Sequence, residues 1–193
     1  MKPVNNTILF ELLLSDYFRI YGKADAPSSF VMLLKIIKRC RNTWLFWFRC
    51  AQYESWWQPF AKCMYRRKSR QYLIDIPLAT EVGYGLYIGH PKCIVINSGT
   101  KIGNNVNLSQ FLSIGTNHDT PAVIGDNVYV GPMVCIVEDV VIGHSSTIGA
   151  GAVVTRDVPD NATVAGSPAH VLNYSDPGRY VGNRYVLQKE IEN

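Results

Sequence analysis

The sequence has no C-x-x-C pair anywhere in its 193 residues. Its five cysteines, Cys40, Cys50, Cys63, Cys93 and Cys135, are odd in number and stand apart. That spacing spells neither a disulfide framework nor a zinc site; reduced thiols of a cytoplasmic protein are expected, and no metal. Long hydrophobic runs are missing too. The stretch "TILFELLLSDYF" is broken by Glu11 and Asp16, so it reads neither as a signal core nor as a membrane span, which needs ~20 apolar residues. Acids are scarce in one region: between residues 26 and 70, ten Lys or Arg face a single acid, Glu54. No nucleic-acid-binding module accompanies that charge, so nucleic acid is not an expected partner. Overall composition, 47% hydrophobic and 18% charged, excludes disordered and collagen-like classes.

What is present falls into three zones. Residues 1–72 read as helical. Asn6 or Thr7 starts a helix that Gly22 stops. "APSSFVMLLKIIKRCR" reads as a second, and a third covers much of 52–69 with Pro59 as boundary or kink. All four tryptophans lie in this zone, at 44, 47, 56 and 57. Cationic helices bearing Trp and Phe suit either packing between subunits or peripheral contact at the inner face of a membrane.

Residues 73–172 follow another grammar. Apolar residues recur every six positions: Ile76, Val82, Ile88 and Ile94; then, after a two-residue offset, Ile96, Ile102, Leu108 and Ile114. The stretch "GTNHDTPAV" interrupts the beat, which resumes at Ile124, Val130, Ile136, Ile142, Ile148 and Val154. Glycine often follows the apolar residue, as at Gly83, Gly103, Gly125 and Gly143. A period of six is neither helical nor simple strand alternation; it is a solenoid repeat, each hexad a short strand and a turn. One hexad buries nothing alone, whereas stacked coils share a core. Residues 173–193 carry no repeat and read as a tail or cap laid over the solenoid end.

The run "IGAGAVVTRDVPDNATVAGSPAHVL" resembles the end of left-handed β-helix acyltransferases. "DIPLATEVGYGLYIGH" and "IVINSGTKIGNNVNLSQ" resemble the serine acetyltransferase-like branch. "SDYFRIYGK", "FWFRCAQY" and "GRYVGNRY" are similar to members of that branch that modify surface polysaccharides. The resemblance implies a mainly β fold: a left-handed parallel β-helix with three hexads per coil, an N-terminal helical region and a short C-terminal tail. It also implies a homotrimer and acetyl-CoA as acyl donor.

Asp75 and His90 are fifteen residues apart. On a coil of eighteen, such residues come back almost one circuit later and meet. The carboxylate can then fix the imidazole tautomer while the other nitrogen faces an acceptor hydroxyl. The resemblance makes His90 the general base, Asp75 its partner, and His118, in the interruption, a second catalytic or acceptor-binding group. It lines the donor cleft with Gly131, Gly149 and Ala150, and offers Arg156 to the phosphates of CoA. Cys93 reads as a packed thiol rather than a nucleophile, and His144 and His170 as surface residues. Serine acetyltransferases carry an acid before the catalytic histidine and an arginine before the second; here Gly89 and Asn117 stand there. That difference favours a neutral acceptor: a sugar or oligosaccharide hydroxyl of a surface polysaccharide, lipid-linked forms included. Serine O-acetylation for cysteine synthesis is the alternative, and a non-catalytic scaffold the reading from another class.

Overall fold

The computed structural model describes residues 6–22, 43–117 and 120–187. The second helix expected from the sequence, and His118, lie outside the described residues. Among the described residues three helices come first: α1 (Asn6–Tyr21), α2 (Thr43–Gln52) and α3 (Gln58–Tyr72). Expectation and structure differ here. The span read as one helix over 52–69 is the end of α2, a break at 53–57, and α3, which has Pro59 in its first turn and Leu73 as a left-handed C-cap.

From Ile74 the chain winds as a solenoid of two- and three-residue strands, β1 to β14, closed by β15 (His170–Asn173). Three sheets form its faces. The first runs β1-β4-β7-β10-β13, the second β2-β5-β8-β11, and the third β3-β6-β9-β12-β14-β15. All pairings are parallel except β14 with β15. Register is one circuit: Ile96 pairs with Ile114, Ile102 with Ile124, Leu108 with Val130. Every hexad apolar residue from Ile88 to Val154 is buried, and together they form one continuous column. Successive coils are tied by backbone bonds such as Val95 N–H to Leu112 O, 2.9 Å. The coil spacing leaves no room at some glycines. A Cβ on Gly103 would lie 2.6 Å from the Gly125 backbone.

A solenoid end exposes its apolar column unless something covers it. Here Trp44, Leu45 and Phe48 of α2 join the same core as Ile74 and Ile76. The Tyr65 hydroxyl of α3 donates to Ile76 O at 2.6 Å. A buried ion pair fixes the docking. Arg49, fully buried, donates to both Asp16 oxygens (2.9 and 3.1 Å) and to Val82 O and Gly83 O. Asp16 also accepts from Leu86 N–H at 2.9 Å. Burial pushes the Asp16 carboxyl up, against the pull of Arg49 and the Leu86 N–H.

The tail does not merely cover the far end. It runs back outside the coils: Gly178 N–H donates to Ser145 O, Asn107 to Tyr180 O, and Asn105 exchanges two bonds with the Tyr185 backbone. Tyr185 then meets Phe18 of α1, so the strap joins the solenoid to the first helix.

Candidate active site at a coil corner

The beat of six breaks where the chemistry-bearing histidines lie. On the turn from the third face to the first, Leu108 to Ile114, Val130 to Ile136 and Ile148 to Val154 each step six. In the first coil Ile88 to Ile96 steps eight, and β1 pairs with β4 across twenty residues. The two extra residues fall in "GHPKC". Ile94 therefore takes the inner place held by Leu112 in the next coil, and Ile96 is the true hexad residue. The offset expected after Ile94 lies in the corner before it.

That enlarged corner presents His90. Lys92 N–H donates back to His90 O at 2.8 Å, a three-residue turn, and Pro91 is buried beneath it. His90 itself is exposed. Cys93 N–H and Ile94 N–H donate to Tyr72 O and Leu73 O, at 3.0 and 3.2 Å, which seats the turn beside the start of β1. Asp75 follows two residues after Leu73, exposed on the first face and paired with Val95. His90 and Asp75 thus share one edge of the solenoid. No hydrogen bond or ion pair joins them among the described residues. The near neighbour of Asp75 is Tyr65, whose phenol is pushed up by burial first and by the Asp75 charge as a smaller cause.

Further along the same corner stand Gln110, then Pro132, then Ala150, linked coil to coil by Met133 N–H to Gln110 O and Gly151 N–H to Pro132 O. Gly131, Gly149 and Ala150 therefore line up with His90. Ala150 is exposed, but Gly131 is buried, and a Cβ there would meet Ile148 O at 2.8 Å. Stacking alone demands glycine at that position. Arg156 is not on this corner. It is exposed at the next one, between the first and second faces, beside Asp157, which accepts from Val141 N–H.

The second break is on that next corner. Ile114 to Ile124 steps ten rather than six, and the extra residues form the loop in which His118 lies. Glu138, from the following coil, pins its near shoulder. It accepts from Thr116 Oγ1 at 2.9 Å and from Asn117 N–H at 2.6 Å. Asp139 N–H holds the far side at Thr120 O, 2.8 Å.

Sequence reasoning passed over Glu138 and Tyr65, whose roles depend on contacts between coils or with a helix. It also passed over a ladder of left-handed corner residues. Leu73, Cys93, Phe111 and Met133 all have φ between 52° and 61°. Leu73, Phe111 and Met133 are 64%, 54% and 65% exposed. Bulky apolar residues are rare in that conformation. The opposite ladder uses Asn105, Asn127, Ser145 and Asn161, ordinary choices. His144 is exposed as expected, yet its Nδ1 accepts from Asp126 N–H at 2.9 Å, one rung of a ladder that continues to Asp160. Among the described residues no group of three His, Cys, Asp or Glu is arranged to hold a metal.

The model of the bacterial transferase hexapeptide family (six repeats) matches residues 121–156. Mitochondrial serine acetyltransferase 3 of Arabidopsis thaliana is 33% identical over 131 residues, 64% of this chain and 34% of that protein. The solved serine acetyltransferase of Brucella abortus in complex with coenzyme A superposes with a TM-score of 0.72 at 26% identity, covering 89% of this chain and 70% of that one. That of Neisseria gonorrhoeae, in complex with serine, gives a TM-score of 0.65 at 26% identity over 87% and 70%. Residues 121–156 thus carry the repeat of a bacterial transferase family, and the helices and solenoid together are similar to serine acetyltransferases. The chain spans about a third of the first curated relatives it matches, 34%, 34% and 38% of their lengths. The family likeness corrects one expectation. The acceptor argued from Gly89 and Asn117 was a polysaccharide sugar, whereas these relatives and solved neighbours are serine acetyltransferases. Two substituted positions carry less weight than a likeness that runs through helices and solenoid together. No described helix is long and apolar enough to cross a membrane.

Proposed function

We propose that this chain is an acetyl-CoA-dependent serine O-acetyltransferase. The observation that carries the proposal is the two-residue enlargement of the corner that presents His90, in a fold whose solved neighbours include serine acetyltransferases bound to coenzyme A and to serine. In the proposed reaction, His90 removes the proton from the serine hydroxyl as its oxygen attacks the thioester carbonyl. The C–O bond forms, the C–S bond breaks, and the imidazolium returns its proton to the leaving thiolate. General-base help of this kind is worth roughly 10²–10⁴-fold. Asp75, on the same edge of the solenoid, orients the imidazole once substrate is bound. Ala150 and the backbone at Gly131 and Gly149 line the donor cleft. The loop that carries Asn117 and His118 is on the next corner of its own chain, and in a homotrimer it supplies the acceptor side to the His90 corner of a neighbouring copy.

Neutral residues at 89 and 117 leave the charged ends of serine with fewer charge-assisted contacts, each worth roughly 1.5–3 kcal/mol. Serine binding is accordingly weaker than a fully charged site would give. The exposed apolar corner of Leu73, Phe111 and Met133 supports a homotrimer, because a second copy laid on that corner would remove it from water. Acetyl-CoA and unpaired thiols both fit the cytoplasm.

The test is release of free CoA thiol from acetyl-CoA by the full chain, with and without L-serine. Release that depends on serine is expected; release with no dependence on serine, or none at all, contradicts the proposal.

A further inference from the structure

One surface of the helical region has no part in the reaction. Along α3, residues 60, 63, 67 and 70 follow one another at helical spacing and so share a face, and Trp56 stands in the turn just before the helix. All are exposed, with Trp56 at 94% and Phe60 at 59%. Pro59 and Arg66 flank the stripe, also exposed. The opposite face is occupied: Ala61 is buried, Tyr65 bonds to Ile76 O, and Ser69 accepts from the Trp44 indole. The helix contains Lys62, Arg66, Arg67, Lys68 and Arg70 and no acid. Lys68 is held by Gln71, while Lys62, Arg66, Arg67 and Arg70 make no ion pair with any described residue. An aromatic tip thus leads into a band of cations that no described acid pairs, on a helix about 22 Å long.

We infer that this face docks on an anionic phospholipid bilayer. Indole and phenyl rings settle at the headgroup boundary, and arginines beside them meet lipid phosphates. Charge complementarity selects an anionic surface, and the aromatic tip selects a bilayer over a polyanion in solution. Attachment is peripheral, since no described helix can span. The inference stands apart from the choice of acceptor.

The test is co-sedimentation of the full chain with vesicles of phosphatidylcholine alone and of phosphatidylcholine mixed with phosphatidylglycerol. Binding should require phosphatidylglycerol, fall as salt rises, and shift tryptophan emission to the blue. Each arginine near the surface contributes about fivefold, so R66E/R67E should lower partitioning by at least about 25-fold. Trp56→Ala should lower it by roughly tenfold and remove most of the blue shift. Both variants should melt like the parent and keep its oligomeric state, because these side chains face water. Equal binding to both vesicle types, no binding, or binding indifferent to R66E/R67E would overturn the inference. So would tighter binding to duplex DNA than to vesicles, or dissociation of an oligomer by these substitutions, which would assign the face to a second copy.

Discussion

Arg49→Met should loosen the helical plug from the first coil. The side chain is fully buried and makes four bonds: two to Asp16, one to Val82 O and one, at 2.6 Å, to Gly83 O. Methionine fills similar volume, so little cavity forms. The damage is electrostatic. Among the described residues, Asp16, 4% exposed, keeps the Leu86 N–H and the weaker pull of the Arg19 charge, and two carbonyls lose the Arg49 donor. Breaking a buried pair from one side costs about 3–5 kcal/mol. For a chain of this size each kcal/mol moves the melting point by about 2–4 °C, so a fall of roughly 6–20 °C is expected in calorimetry. The double variant Asp16→Leu/Arg49→Met removes both charges. It should recover at least about 2 kcal/mol relative to the sum of the single changes. The Leu86 N–H stays unpaired, which keeps recovery incomplete. If Arg49→Met cost less than about 1 kcal/mol, or if the two single effects simply added, the pair would not be the clamp described here.

Three further outcomes follow from the same geometry. Gly131→Ala drives a Cβ to 2.8 Å from Ile148 O and should cost about 1–3 kcal/mol in urea unfolding, whereas Gly115→Ala, with nothing within 4 Å, should be near neutral; equal effects would refute the stacking argument. Iodoacetamide followed by peptide mapping should label exposed Cys63 and Cys135 well before Cys50, whose thiol is pushed up to about 12 by burial. Cys50 holds its proton more tightly folded than unfolded, so its contribution to stability is complete below its ordinary 9.0 and fades as pH climbs towards 12; early labelling of Cys50 in mild alkali would contradict this. Glu138→Ala frees the loop shoulder at Thr116 and Asn117 and should raise KM for serine roughly tenfold with kcat little changed, Glu138→Gln falling between; a collapse of kcat alone would remove the loop from acceptor binding.

The solenoid was legible because one buried residue per hexad leaves a direct trace in the sequence, and Ile102, Leu108 and Val130 could be placed from spacing alone. Where the beat broke, the sequence located the breaks less sharply. The offset beside Ile94 was seen, but only strand pairing shows that the added residues are in the His90 turn and that Ile96 keeps the column. Helix α2 left little trace, since Trp44, Leu45, Phe46, Trp47 and Phe48 form an unbroken apolar run with no polar face to mark a helical period. The strap was illegible for a different reason: Asn105 and Tyr185 meet across 80 residues with no repeat to announce it. The spacing of Asp75 and His90 predicts on a coil of eighteen that the two meet, whereas the first circuit takes twenty residues and no hydrogen bond or ion pair joins them among the described residues. The acceptor was misjudged from Gly89 and Asn117 because the loss of two charges says how tightly a substrate is held, not which substrate it is.

The central claim is that the enlarged corner exists to hold His90 against an acceptor hydroxyl. The measurement closest to it is the turnover number for serine-dependent CoA release by His90→Asn, taken beside its melting temperature. The side chain is exposed, so folding should be unchanged while kcat falls by roughly 10²–10⁴. Full turnover in a normally folded His90→Asn protein would show that the corner holds no base.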